Sequence, residues 1–273
     1  MIEADRNEVE IEPRAKVAEG DLWRNVIAVE RDEGVVHDAL LRGRVPLCQP
    51  AKGYRTNVDA LWLSSFARRE TPSRRCLDLG AGVGAIGLSL VVTGGARAAT
   101  LFDVDPSLIA LAAQNARAAS VDAVVDAMVG DVREPLPIAL RNAFDLVVAN
   151  PPYGVDVAAK KSPHPARARA RTGDEGTLLA FARAARGALG AKGRACFVFP
   201  APDVARLFVA LRAVGLEPKR MRMVHPLPEA PARVVLVEAK PARPGGLRVE
   251  APLVAMIDKG VWSDEARRIV EGA

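Results

Sequence analysis

The tetrapeptide Asn150-Pro151-Pro152-Tyr153 follows directly on the apolar run Phe144-Asp145-Leu146-Val147-Val148-Ala149. Such a run reads as a buried parallel strand, and open α/β sheets bind ligands outside the carboxyl ends of their strands, so these four residues are expected at the mouth of a cleft. Each proline locks φ and lacks an N–H, which leaves the Asn150 and Pro151 carbonyls to point outward as acceptors beside the Asn150 amide. Tyr153 adds an aromatic face. Together they can accept both hydrogens of a planar NH2 group, on a base or a carboxamide, while stacking against its plane. The simpler reading of the same residues is a proline-terminated strand end with a turn.

A second motif, Leu77-Asp78-Leu79-Gly80-Ala81-Gly82-Val83-Gly84-Ala85-Ile86-Gly87, follows a short strand from Arg75 to Leu79 and opens a helix running to about Val92. Glycines let the backbone turn tightly and approach a ligand, so a nucleotide-like cofactor is expected. Ala99 to Phe102 form the next strand, ending at Asp103, whose carboxylate can accept hydrogen bonds from both hydroxyls of a ribose. Gly82-Val83-Gly84-Ala85-Ile86-Gly87 also matches G-x-G-x-x-G, so a dinucleotide remains an alternative. Asp78 weighs against it, because an acidic group before the glycines opposes a pyrophosphate and suits an ammonium.

With both motifs in place the chain resembles the class I S-adenosylmethionine-dependent methyltransferases, in which an acidic, glycine-rich loop and a later acidic residue hold the cofactor and NPPY holds the acceptor. More narrowly, the segment from Gln49 to Leu63, QPAKGYRTNVDALWL, resembles the entry segment of bacterial tRNA adenine-N6-methyltransferases, a family that modifies the adenine beside the anticodon of a valine tRNA. The order glycine loop, Asp103, Gly130-Asp131, NPPY is also that family's order. The resemblance implies N6-methyladenosine formation in tRNA from S-adenosylmethionine, without a metal. It places Gln49, Tyr54, Asp59, Asp78, Gly80, Gly82, Gly84, Asp103, Asp131 and Asn150 around the cofactor, and Asn150, Pro151, Pro152 and Tyr153 at the reacting nitrogen. NPPY also occurs in enzymes that methylate a release-factor glutamine, so protein N5-glutamine methylation is the alternative. A cofactor-binding protein without catalysis is a further one. The chain departs from the family in its acidic front and in an arginine-rich stretch after NPPY.

Residues 1 to 33 carry ten acidic against five basic side chains, while the whole chain is +5, so residues 34 to 273 carry +10. A basic body suits a polyanion, because phosphate neutralisation supplies most non-specific nucleic-acid affinity; a solvated arginine-rich surface explains the same charge equally well. Lys160, Lys161, Arg167, Arg169 and Arg171 border NPPY in a proline-containing stretch that reads as a loop, placed to grip phosphates flanking a target nucleotide. Three separated cysteines and three histidines without metal-ligand spacing favour neither disulfides nor a metal site. With no targeting pattern and no apolar run of about 18 residues, a cytoplasmic protein without membrane partners is expected. Oligomeric state is not legible.

The elements that must position these residues fit a doubly wound, mostly parallel seven-stranded α/β sheet. Residues 1–43 read as an acidic N-terminal extension, 44–240 as the catalytic domain and 241–273 as a tail packed on it. Helices are expected at 57–68, with Asn57 capping and Trp62 in the core, then at 106–118 with Pro106 at its start, at 175–189 and at 204–214. Strands are expected near 123–129, 144–149 and 195–199. Two last strands, 218–224 and 233–239, should pair antiparallel, and a final helix is expected at 263–271.

Overall fold

A computed structural model describes residues 34–52, 56–152 and 175–272. Strands β1 (Val35–Leu40) and β2 (Val45–Pro50) form an antiparallel hairpin whose turn lies at 41–44. Residue 43, the expected end of the acidic extension, lies in that turn. Helix α1 (Asp59–Ala67) follows, with the Asn57 side-chain oxygen accepting from the Asp59 N–H at 3.0 Å and Trp62 buried as expected.

The main sheet begins with β3 (Cys76–Leu79), followed by α2 (Ala85–Val92), β4 (Ala99–Asp103) and α3 (Pro106–Ala118). Asp105 caps α3 by accepting from the Ser107 and Leu108 N–H groups, with Pro106 at the first turn where a missing N–H costs nothing. Then come β5 (Val125–Val129), β6 (Phe144–Ala149), α4 (Glu175–Ala188), β7 (Leu189–Pro200) and α5 (Val204–Ala213). Strands β3 to β7 are parallel in the spatial order β5-β4-β3-β6-β7. The last long strands, β8 (Glu217–His225) and β9 (Val234–Lys240), form the expected antiparallel pair, with β9 inserted beside β7.

Among the described residues the sheet holds the seven expected strands, β3 to β9, and two short additions. Short β10 (Arg248–Val249) and β11 (Leu253–Val254) each add in parallel to β8, and two-residue strands leave no alternation to read in a sequence. A small hairpin of β12 (Met256–Asp258) and β13 (Val261–Trp262) leads to α6 (Asp264–Glu271), capped by Ser263. Trp262 packs against Trp62, with ring centroids 5.9 Å apart, and Arg222 forks onto Glu265 at 2.7 Å through both nitrogens. The tail is thereby built into the body.

Two apolar layers flank the sheet. One joins α1, α2, α3, α6 and the β1–β2 hairpin; the other joins α4 and α5. Strands β3 and β6, at the centre, are covered on both faces, which is why their sequences run apolar without alternation. No helix of the described residues is long and apolar enough to cross a membrane.

Candidate active site

Register alone brings the expected site residues to one edge. Leu79 pairs with Ala149 and with Phe102, so the residues that follow them, Gly80, Asn150 and Asp103, leave the sheet side by side at its carboxyl end. Asp103 pairs in turn with Val129, and the Gly130 N–H donates to the Asp103 carbonyl at 2.9 Å, which adds Asp131 to the row. The chain order reverses between β3 and β6, and such a switch point opens a crevice for ligand. Pro151 is buried and Pro152 half-buried, so the acceptor backbone after Asn150 is held against the protein.

The glycine loop is held from several sides. Gly80 and Ala81 donate to the Phe102 carbonyl at 2.8 and 3.1 Å, Gly82 donates to Asp103 Oδ2 at 2.8 Å, and Gly87 donates to Asp78 Oδ2 at 2.8 Å. Gly80 has φ +67°, and a Cβ there would sit 2.9 Å from the Phe181 ring on α4. Gly82 differs: at φ +55° nothing lies within 4 Å of where its Cβ would be, so this face of the loop is open to a ligand. Gly84, at φ +89°, turns the chain into α2.

The individual placements refine the sequence expectations. Asp78 is fully buried; it supports the Gly87 amide from beneath the loop, with Oδ1 unpartnered, instead of presenting its charge at the open side. Gln49 is also buried: its amide nitrogen donates to Asp38 and its oxygen accepts the Thr56 N–H at 2.9 Å, pinning the entry segment to β2. Asp59 is buried at the start of α1 against Asn57 at 2.8 Å, and desolvation raises its carboxyl despite the lowering effects of Arg233 and Asn57. Gln49 and Asp59 thus spend their polar groups on partners within the protein. Asp131 accepts a fork from Arg133, which holds its carboxyl below the usual range. Tyr54, Tyr153, Lys160, Lys161, Arg167, Arg169 and Arg171 lie outside the described residues.

Two side chains that sequence reasoning passed over complete the edge. Val104, directly after Asp103, is 56% exposed, and Val129, directly before Gly130, is 51% exposed. Apolar side chains left open at strand ends beside two carboxylates offer a surface for a flat ring. The signal was available: a valine immediately after a strand-terminating aspartate has no further strand to bury it.

A family model for the methyltransferase small domain matches residues 57–198, more than half of the chain and the whole of this edge. The chain belongs to that family. This methyltransferase is 28% identical over 217 residues to the tRNA1(Val) (adenine(37)-N6)-methyltransferase of Parabacteroides distasonis, covering 80% of its own length and 89% of the relative's. It is 37% identical to the release factor glutamine methyltransferase of Bordetella pertussis, over 42% of its own length and 43% of that protein. A predicted O-methyltransferase from Agrobacterium tumefaciens shares the fold, with a TM-score of 0.62 at 20% identity, covering 78% of this chain and 95% of the other.

The described residues fit S-adenosylmethionine. The loop from Gly80 to Ile86 contains no lysine or arginine for a pyrophosphate, while the Asp103 carboxylate stands beside it, so the site suits a cationic, phosphate-free nucleoside. The open face over Gly82 and the exposed Val104 and Val129 leave room for its adenosine.

Asp78 should make the methyltransferase's stability pH-dependent. Desolvation raises its carboxyl to about 7 against the lowering pull of the Gly87 N–H. The folded state therefore holds the proton more tightly than the unfolded chain does, and stability is lost as pH rises from about 4 through about 7. Asp103 is raised in the same sense by burial, whereas Glu217, held at about 2 by Arg212, has its opposite effect only at more acid pH. In Asp78→Asn the side-chain oxygen still accepts from Gly87 and no charge is buried. Thermal melts between pH 5 and 8 should show a shallower decline than wild type; parallel curves would remove Asp78 as the cause.

Proposed function

We propose that this methyltransferase transfers the methyl group of S-adenosylmethionine to the exocyclic N6 of an adenine in RNA, with tRNA as that RNA. The observation that carries the reading is the pairing of Leu79 with Ala149, which sets the Asn150-Pro151 acceptors next to the glycine loop. When bound, S-adenosylmethionine supplies an activated sulfonium methyl group. The chain's task is to prepare the nitrogen.

An adenine amino lone pair is delocalised into the ring and attacks poorly. The Asn150 side-chain oxygen and the Pro151 carbonyl accept its two hydrogens, which localises the lone pair and stabilises the positive charge that develops on nitrogen. Two prolines keep these dipoles from reorganising as the charge grows. Tyr153 supplies the stacking face, and Lys160, Lys161, Arg167, Arg169 and Arg171 hold flanking phosphates. Asp103 takes the cofactor's ribose hydroxyls, Asp131 its adenine amino group, and Val104 and Val129 its ring. Gln49, Tyr54 and Asp59 build the adjoining wall, Gly80, Gly82 and Gly84 shape the loop, and Asp78 supports it from below. An anticodon-loop target is already partly unstacked, which lowers the cost of extruding the base.

The names and coverage of the relatives support RNA over protein: the tRNA enzyme is matched along 89% of its length and the glutamine enzyme along 43%. The test is incubation with S-adenosylmethionine and, separately, tRNA, ribosomal RNA and a release factor, with mass spectrometry of nucleosides and peptides. N6-methyladenosine in tRNA is expected. Methylglutamine alone would move the same residues to a protein substrate, and N6-methyladenosine in ribosomal RNA alone would replace the tRNA.

A further inference from the structure

Asn115 is wholly buried on the apolar stripe of α3, between Ile109, Ala112 and Ala116. Burying a carboxamide is costly unless its hydrogen bonds are made. Here they are. Oδ1 accepts the Cys48 N–H at 2.7 Å, and Nδ2 donates to the Cys48 carbonyl at 3.2 Å and the Val83 carbonyl at 3.0 Å. The amide orientation follows from the partners, since the oxygen must face the N–H and the nitrogen the two carbonyls.

The three bonds join distant parts of the chain. Toward β2 the side chain pairs with both backbone groups of one residue, as a neighbouring strand would; toward the glycine loop it takes the carbonyl between Gly82 and Gly84. The hairpin is tied again at the other end of α2, where Arg44 donates to the Val92 carbonyl at 2.8 Å and to the Gly272 carbonyl at 3.0 Å. The hairpin therefore reaches the end of α2 through Arg44 in its turn and the glycine loop before α2 through Cys48 of β2 and Asn115.

We propose that Asn115 is a positioning residue for the cofactor, which couples docking of the β1–β2 hairpin to the shape of the glycine loop. Asp103 fixes that loop through the Gly82 N–H, and Asn115 fixes the Val83–Gly84 peptide through the Val83 carbonyl. Without Asn115 the Val83–Gly84 peptide keeps only the bond from the Gly84 N–H to the Ala81 carbonyl at 2.8 Å, and the open face above Gly82 is held less firmly. The inference rests on the cofactor reading given above.

The test compares Asn115→Ala with Leu211→Ala, a buried position on α5 in the opposite apolar layer, by calorimetric titration with S-adenosylhomocysteine and by thermal melts. Asn115→Ala should raise Kd at least tenfold and raise KM for S-adenosylmethionine more than KM for RNA. Leu211→Ala should lower the melting temperature while leaving Kd within about twofold of wild type. Equal weakening in both variants, or unchanged affinity in Asn115→Ala, would overturn the assignment. If Asn115→Ala does not fold, hydrogen exchange on the wild-type protein decides: S-adenosylhomocysteine should slow the Cys48 amide together with those of Gly80 to Gly84, and slowing of the loop alone would count against the coupling. A wild type that binds no S-adenosylhomocysteine would overturn both this inference and the cofactor reading, whereas failure confined to the Asn115 comparisons overturns this inference alone.

Discussion

Replacing Asn150 with alanine should lower turnover by roughly 1,000-fold while S-adenosylhomocysteine still binds within about threefold of wild type. Removing one preorganised partner of a developing charge typically costs 10²–10³ in rate, about 3–4 kcal/mol, and the second acceptor at Pro151 survives the substitution. The loss should appear in single-turnover methylation, and the binding in calorimetry. Asn150 leaves β6 beside Gly80, while the glycine loop is held by the Phe102 carbonyl and the Asp103 and Asp78 carboxylates, which is why the two readouts separate. Loss of cofactor binding as large as the loss of rate would reassign Asn150 to the cofactor.

For Asp103→Ala the order reverses, with cofactor affinity falling about 30-fold or more and activity following it. The carboxylate accepts the Gly82 N–H at 2.8 Å and the Asp105 N–H at 2.9 Å, so its removal frees the loop as well as the proposed ribose contact. A hydrogen bond to a charged group contributes about 1.5–3 kcal/mol, enough for that factor from a single bond. Desolvation raises the Asp103 carboxyl, against the lowering effect of the Asp105 and Gly82 N–H groups. Hydroxyl donors favour the ionised form, so cofactor affinity should fall as pH drops through this raised pKa, and Asp103→Ala should lose that dependence. Titrations with S-adenosylhomocysteine at several pH values would measure both effects; unchanged affinity in the variant would exclude the ribose role.

Local patterns carried much of the fold. The helix from Pro106 to Ala118 was legible in full because a proline at the first turn acts within one turn of chain, and the structure adds Asp105 as its cap. The strands ending at Leu79 and Ala149 were legible because burial on both faces demands continuous apolar residues. The β1–β2 hairpin was not, since its strands, VVHDAL and VPLCQP, mix polar groups with prolines and owe their packing to α2 and α3. At the site, residue types were readable before their directions were. Asp78 faces the Gly87 amide and Gln49 faces Asp38 and Thr56, because a buried polar group turns toward whichever partner the fold brings near. Asn115 had one sequence signal, a polar residue on an apolar stripe, but its partners lie 67 and 32 residues away.

The sequence by itself determined the parallel sheet, the glycine turn, the strand-end carboxylate and the proline-stiffened exit from β6, since each depends on backbone preferences and burial within a few residues. Only the tertiary structure decided which of these groups stand together at the carboxyl edge, which turn to partners inside the protein, and that a side chain of α3 fastens the hairpin to the glycine loop. Strand register and the hydrogen bonds of buried amides are set between segments distant in the chain, and no local pattern records them.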